Sequence, residues 1–518
     1  MSFKKSTSIF LVSTATMISR ILGLIREQLF AFLLGASHFS DAFLVAFRIP
    51  NLLRDLFAEG ALSTAFIPTF TDYLIKKDKK EAFKLANHVI NFLLLVIGTL
   101  IVLGYFFTPD LVRLIAPGFQ DNPEKFQLTI LMTKIMIPFL LFVSFAAVFM
   151  GILNTHNKFF ISALAPALFN VAIIITGVLI LILHPEDVNK AVLWSVGALL
   201  GGIVQMLVQV PAAYRLGYRY RFSLDWRFQS PGLKRIIKLM LPAIIGLAAV
   251  QINIIVNTVL ASYLQTGSVS HWNYAFRLIQ FPIGIFGVSI ATVNTAVISK
   301  DIARKDFSML KENISFSIKM NSFLTLPSTL FLMTMGIPVI RLIFQHGQFD
   351  GSATHFTFQA LFLLAPCLFF YSGVKLFVPV FYAMKKSYIP VISSAMAVGV
   401  NLLISISTYK RIGIQGLAFG MTTASLVNFL FLLFMFIRYY GLITGKDLSS
   451  TIIKHVIASI VMGCAGLLSY KVFLSGPYLL SIVFPIIISG LVYIGMCLLL
   501  RVKELNDFIR VFTARFKK

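Results

Sequence analysis

Residues 9–34 read IFLVSTATMISRILGLIREQLFAFLL. The run is long enough to cross a bilayer, which takes about 20 mostly apolar residues, yet it carries Arg20, Arg26 and Glu27. A charge near the bilayer centre costs about 3 kcal/mol even on the most lenient insertion scale. The same conflict recurs in the next apolar stretch, with Asp41, Arg48, Arg54, Asp55 and Glu59, and much further on at Arg277. Such arginines must face a wet interior. Guanidinium gathered there suits a phosphate or pyrophosphate, which it grips through paired hydrogen bonds.

The composition around this stretch gives the class. Of 518 residues, 58% are hydrophobic and 13% charged, with mean hydropathy +0.87. A soluble protein carries about a quarter charged residues, so this is an all-α polytopic membrane protein. Fourteen transmembrane helices are expected, at 7–34, 39–73, 84–107, 127–153, 160–183, 191–214, 235–263, 270–298, 312–335, 355–383, 389–408, 413–438, 451–474 and 478–500. One set of loops is basic, holding Lys76, Lys77, Lys79, Lys80, Lys158, Arg215, Arg219, Arg221, Lys300, Lys385 and Lys386. The other set, at 35–38, 264–269 and 475–477, has no Lys or Arg; Lys410 and Arg411 are the local exception. The basic side faces the cytoplasm, and an even count places both termini there. No small-residue cleavage site follows the run after Lys4 and Lys5, so the first span is expected to be uncleaved.

The net charge of +25 lies mostly in these short loops and not on a soluble basic domain, which argues against nucleic acid as a partner. Cys367, Cys464 and Cys497 stand alone and read as small buried hydrophobes. The eight histidines form no H-E-x-x-H, and no G-x-G or G-K-[ST] is present, so nothing supports an enzyme or a bound cofactor. After Arg501, Val502, Leu505, Phe508, Ile509, Phe512 and Phe516 recur at helical spacing, the pattern of an amphipathic helix on the inner leaflet.

The chain also repeats itself. Val112-Arg113-Leu114-Ile115 returns as Ile340-Arg341-Leu342-Ile343, Pro138 as Pro366, and Asn157-Lys158-Phe159-Phe160 as Lys385-Lys386-Ser387-Tyr388, all at a shift of 228; Phe47-Arg48 returns as Phe276-Arg277 at 229. Six spans separate equivalents, so the expectation is two parallel six-helix lobes around a central cavity plus a C-terminal two-helix hairpin. The implied domains are an N-lobe at 1–222, a C-lobe at 223–445, the hairpin at 446–500 and the tail at 501–518.

Within that frame, Arg20, Arg26, Arg54 and Arg277 are the candidate headgroup ligands, supported by Glu27, Asp41, Arg48, Asn51 and Glu59. Arg20 and Glu27 share a helical stripe, and Arg26 points about 120° away from Arg20. Arg48 has Asp41 and Asp55 as its expected ion-pair partners. Gly23, Pro50, Gly60, Pro282 and Gly284 are hinge candidates, because Gly and Pro let a membrane helix bend.

At these residues the chain resembles the MurJ (MviN) family of lipid II flippases, within the superfamily of multidrug and polysaccharide-lipid exporters. The resemblance rests on Ser19 to Arg26, on Asp41-Ala42-Phe43, Arg48 to Arg54 and Phe57 to Ala61, and on Trp272, Tyr274, Arg277, Phe281-Pro282 and Gly287. It implies movement of lipid II, the undecaprenyl-pyrophosphate-linked peptidoglycan precursor, from the inner to the outer leaflet of the bacterial cytoplasmic membrane by alternating access. It further implies that the four arginines meet the headgroup, that Asp41 is a functional acid, and that the hairpin holds the lipid tail. Implied partners are lipid II, membrane lipids and cell-wall synthesis or division proteins. Some relatives place sodium between acids of the second lobe. The corresponding spans here have no Asp or Glu, leaving Asn257, Asn401 and Thr422 as neutral oxygens and the coupling ion or membrane potential undecided. Two alternatives stay open at this level: a sibling polysaccharide-lipid flippase or multidrug/cation antiporter, and a cell-wall assembly scaffold, which would leave the arginines unexplained.

Overall fold

The computed structural model describes residues 2–222, 230–443, 447–474 and 476–506; the side chains at 2–10, 13, 56–59, 243, 245–250, 285, 286, 288, 289, 291–293, 296 and 479 stand outside that description. All elements among the described residues are helices. That follows from the solvent: in hydrocarbon a backbone must satisfy its own polar groups. Two compact units result, Met1–Ser270 with His346–Phe349, and His271–Gln345 with Asp350–Lys518.

The first unit contains α1 (Ser2–Leu34), α2 (His38–Leu53), α3 (Ser63–Lys76), α4 (Lys79–Phe106), α5 (Thr108–Ile115), α6 (Pro123–Met136), α7 (Phe139–Thr155), α8 (Phe159–Leu183), α9 (Asp187–Leu207), α10 (Val210–Arg215) and α11 (Pro231–Ser262). A π-helical stretch, Arg54–Leu62, joins α2 to α3. Helix α12 (Ser268–Pro282) starts in the first unit and passes into the second, where a π-helical stretch, Ile283–Gly287, leads to α13 (Val288–Arg304). There follow α14 (Phe307–Ile343), α15 (Gly351–Leu364), α16 (Cys367–Ala383), α17 (Tyr388–Ile412), α18 (Ile414–Tyr440), α19 (Leu448–Phe473) and α20 (Tyr478–Leu499).

Nine described helical segments are each long and apolar enough to cross a membrane, and α15 with α16, bent by 41°, makes a tenth. The other four expected spans coincide with α1, α2–α3, α11 and α12–α13, which carry the arginines and Asn257. Much of the apolar surface faces outward: only 28% of the window in α4 and 22% of that in α20 is buried inside the protein, as lipid-facing helices require. In the first unit α7 is the most enclosed helix, with Phe139, Val143, Val148 and Ile152 buried against α3, α4 and α9. Glycine lets neighbours close in: a Cβ on Gly202 of α9 would lie 2.5 Å from the Phe139 ring. The core of the second unit joins Ile314, Leu376, Phe377, Phe381, Leu432 and Phe436.

The repeat reappears in backbone detail. Pro138 and Pro366 each stand at the N-cap of the second half of a broken helix. Asn157 and Lys385 both hold φ 58°, and Lys158 and Lys386 donate backbone N–H groups to Leu153 and Phe381. Asn122 caps α6 and Asp350 caps α15. Phe43 stacks on Phe47 and Trp272 on Phe276, each pair one residue before an arginine. The π-helical stretches begin at Arg54 and Ile283. Every pair keeps the shift of 228 or 229.

Contact and duplication separate at α11. The repeat assigns it beyond residue 222, whereas it packs on α3 and the π-helical stretch of the first unit. Arg235 pairs with Asp72 at 2.6 Å, and Gly232 admits the Tyr73 ring. At the C-terminus α19 packs on α20 and α14. The expected amphipathic tail begins by turning inward: Val502 and Leu505 are buried with Phe323, Ala458 and Cys497. Residues 507–518, which hold the rest of that pattern, lie outside the described residues.

Candidate functional site

Asp41 sits in the first turn of α2, set by Ser37, whose hydroxyl accepts from the Ser40 N–H while its own N–H donates to the Ser40 hydroxyl. The turn before it needs Gly35, at φ 57°, because the Gln348 backbone comes so close that no Cβ fits. Gln348 N–H donates to the Phe32 carbonyl there, at 3.0 Å. Asp41 is 1% exposed and accepts four hydrogen bonds. Oδ2 takes the Lys125 ammonium and the Gly267 N–H, both at 2.8 Å; Oδ1 takes the Ser270 N–H at 2.9 Å and its hydroxyl at 2.7 Å. Lys125 is itself 5% exposed and lies 3.9 Å over the Phe119 ring. One carboxylate thus ties together α2, α6 and the start of α12, all within the first unit.

The arginines lie elsewhere: Arg20 and Arg26 on α1, Arg48 on α2, Arg54 at the start of the π-helical stretch and Arg277 on α12. Arg26 of α1 donates to Glu27 at 2.5 Å and to Asn170 Oδ1 of α8 at 3.1 Å, with the Phe169 ring 5.8 Å away. Asn170 in turn donates to the Ser19 carbonyl at 3.1 Å; Gly23 lies beside it, and a Cβ there would make only ordinary contact with its amide nitrogen, at 3.6 Å. Arg54 opens the π-helical stretch and pairs with Asp55 at 2.9 Å; the other Asp55 oxygen accepts from Gln251 of α11 at 3.2 Å. Arg26 and Arg54 keep side-chain exposures of 17% and 23%. They are oriented by neighbouring acids and amides but remain partly exposed. Arg20 is exposed and Arg48 half-buried on α2, with Asn51 three residues on; Arg277 is exposed on α12 of the second unit. The Glu59 side chain lies outside the described ones.

Four hinge candidates cluster at the π-helical stretches. Pro50 precedes the first by four residues and Gly60 lies within it; Pro282 abuts the second and Gly284 lies within it. A π-turn inserts an extra residue, weakens the local ladder and re-aims side chains, and such turns gather at functional sites. For the neutral oxygens, Asn401 accepts from Ser405 at 3.2 Å, Thr422 donates to the Leu363 carbonyl at 2.6 Å, and Asn257 is buried on α11. Among the described residues no three His, Cys, Asp or Glu side chains group as a metal site.

A family described as "Lipid II flippase MurJ" matches residues 30–489. The chain belongs to the MurJ family. It is 33% identical to a protein named "Probable lipid II flippase MurJ" from Buchnera aphidicola subsp. Acyrthosiphon pisum, over 96% of this chain and 98% of that one. Against the "Lipid II flippase MurJ" of Burkholderia cenocepacia it is 33% identical over 83% of each. A solved structure titled "Lipid II flippase MurJ, inward closed conformation" superposes with TM-score 0.80 at 29% identity, over 97% of this chain and all of that one. A multidrug resistance MATE family transporter of the MOP superfamily shares the fold alone, with TM-score 0.67 at 19% identity, covering 83% of this chain and 98% of that one.

Within this MurJ chain several partners escaped sequence reasoning. Lys125 falls before the expected start of its span, so it read as a loop residue. Gly267 acts on Asp41 through its backbone N–H, and Ser270 through its N–H as well as its hydroxyl; backbone donors leave no composition signal. Asp41 pairs with Lys125 and Asp55 with Arg54. Glu27 pairs with its chain neighbour Arg26, although its stripe is that of Arg20. Lys375, within α16 and 5.1 Å over the Tyr371 ring, is a further cation on a membrane helix.

Proposed function

We propose that this protein flips lipid II from the inner to the outer leaflet of the bacterial cytoplasmic membrane by alternating access, with both termini in the cytoplasm, and that it acts as a transporter and not an enzyme. The observation that carries the reading is Arg26 and Arg54. In a chain of the MurJ family, two guanidiniums on membrane helices are held in place by Glu27, Asn170, Asp55 and Gln251 while remaining partly exposed. A pyrophosphate offers both charges and paired oxygens, so it competes with a single carboxylate for each guanidinium. Arg20 and Arg277 complete the proposed ligand set on sequence grounds, and the α19–α20 hairpin is proposed to hold the isoprenoid tail. Bound headgroup then favours whichever state it contacts better, since a ligand shifts an equilibrium only by its differential affinity. The π-helical stretches are the proposed bending points.

A leaflet-specific assay of lipid II in cells depleted of their own MurJ-type flippase and supplied with this gene tests the reading. Arg26→Ala and Arg277→Ala are expected to abolish outward transport while the protein still reaches the membrane in normal amount. Normal transport by both variants would sink the arginine reading. We further propose that the membrane potential supplies drive, because moving one charge through 100 mV is worth about 2.3 kcal/mol. Collapsing the potential with valinomycin and potassium is then expected to slow flipping at constant pH.

A further inference from the structure

Beyond α10 the chain lies extended along α4, held by two asparagines one helical turn apart. Tyr218 Oη donates to Asn87 Oδ1 at 2.6 Å, and Asn87 Nδ2 donates to the Arg219 carbonyl at 3.1 Å. One turn further, Tyr220 Oη donates to Asn91 Oδ1 at 2.7 Å, and Asn91 Nδ2 reaches the Arg221 carbonyl at 3.5 Å. Side chains two apart on extended chain match positions four apart on a helix, which fixes the register of this strap. The register delivers Tyr220, Arg221 and Phe222 to the level where α4 becomes wholly apolar: after Asn91 no charged residue or amide follows to its end at Phe106. Exposed aromatics beside an exposed arginine at that level are the signature of the headgroup layer.

From this level a groove of 510 Å³ runs along α4, lined by Leu94, Leu95, Gly98, Val102 and Leu103, with Phe222 in its wall. A Cβ on Gly98 would meet nothing within 4 Å, so the missing side chain is part of the space. Asn91 to Leu103 spans about 18 Å at the helical rise, enough to cross one leaflet's hydrocarbon. At the Asn91 end of the groove the exposed charge is Arg221. Lys79 and Lys80 are exposed about 18 Å further back, at the start of α4, where Asp78 caps the helix and Glu81 lies 3.9 Å from Lys84.

We propose that this groove binds an anionic glycerophospholipid of the inner leaflet, its phosphate on Arg221 and one acyl chain along α4 over Gly98. The site is separate from the arginines of α1 and the π-helical stretch, and its occupant also touches the strap that leads on to α11.

The test uses the full chain reconstituted in vesicles of equal parts phosphatidylglycerol and phosphatidylcholine, then extracted for native mass spectrometry. The wild type is expected to retain phosphatidylglycerol in excess. Arg221→Gln is expected to lower that excess about fivefold, the effect of one charge at an anionic surface. Gly98→Leu, which fills the groove without touching protein, is expected to lower retention of both lipids. Gly399→Leu, a second glycine whose Cβ meets open space, controls for added bulk and should behave as wild type. An unchanged lipid ratio in Arg221→Gln, or retention by Gly98→Leu equal to that of Gly399→Leu, overturns the proposal.

Discussion

At Asp41 a carboxylate with almost no solvent contact survives because four donors, one of them an ammonium, surround it. Burying an ion pair brings little net stability, since desolvation cancels most of the attraction, but removing one partner strands the other. Lys125→Met is therefore expected to destabilise the protein by about 3–5 kcal/mol, read as a lower unfolding midpoint in detergent. The double variant Asp41→Asn with Lys125→Met removes both charges and should recover a large part of that loss. Equal loss in the single and double variants would mean that the ammonium contributes packing alone. Arg26 and Arg54 contrast with this pair. Each pairs with an acid one residue away at a partly exposed site, which is the condition under which a ligand can compete for it.

Among the elements, Pro138 and Pro366 entered the sequence reading only as repeat matches within unbroken spans, yet they stand where α6–α7 and α15–α16 part. An interior proline removes a ladder hydrogen bond, but Pro166, Pro327 and Pro338 sit inside continuous helices, so packing decides which proline becomes a break. The π-helical stretches at Arg54 and Ile283 were not legible, since widening a turn needs no particular residue and is set by packing; Pro50 and Pro282 only pointed to the neighbourhood. The repeated turn at Asn157 and Lys385 yields a graded prediction. Both hold φ 58°, which costs an ordinary L-residue about 1–2 kcal/mol and Asn less. Lys385→Gly is expected to raise the unfolding midpoint, and Asn157→Gly to raise it less; the reverse order would show that the Lys385 side chain contributes more than its backbone loses. Asp350, which caps α15, adds a pH signature. The Ala353 N–H, its largest influence, together with the Ser352 hydroxyl holds its carboxyl below the usual range against a smaller effect of burial. A carboxylate with a lowered folded pKa stabilises above its unfolded value, about 3.9, and loses that contribution as pH falls through the folded value. Asp350→Ala is expected to cost about 1 kcal/mol at neutral pH, and the gap to wild type should narrow below about pH 4.

For the whole molecule, hydropathy carried the reading furthest, because it follows from the bilayer and not from packing detail. It marked α8, α18, α19 and α20 to within a few residues, while the ends of α6 and the home of α11 depended on contacts such as Asp41–Lys125 and Asp72–Arg235 that join distant parts of the chain. Orientation is the part of that reading with a direct test. If the lysines that start α4 face the cytoplasm, then Asp121, exposed in the short turn between α5 and α6, lies on the opposite side of the membrane. Cys464 is exposed on α19, so the experiment starts from Cys464→Ser. In intact cells a membrane-impermeant maleimide is expected to label Asp121→Cys and to leave Lys79→Cys unlabelled until the membrane is opened. Labelling of Lys79→Cys from outside would invert the topology, and with it the leaflet from which the arginines of α1 receive their ligand.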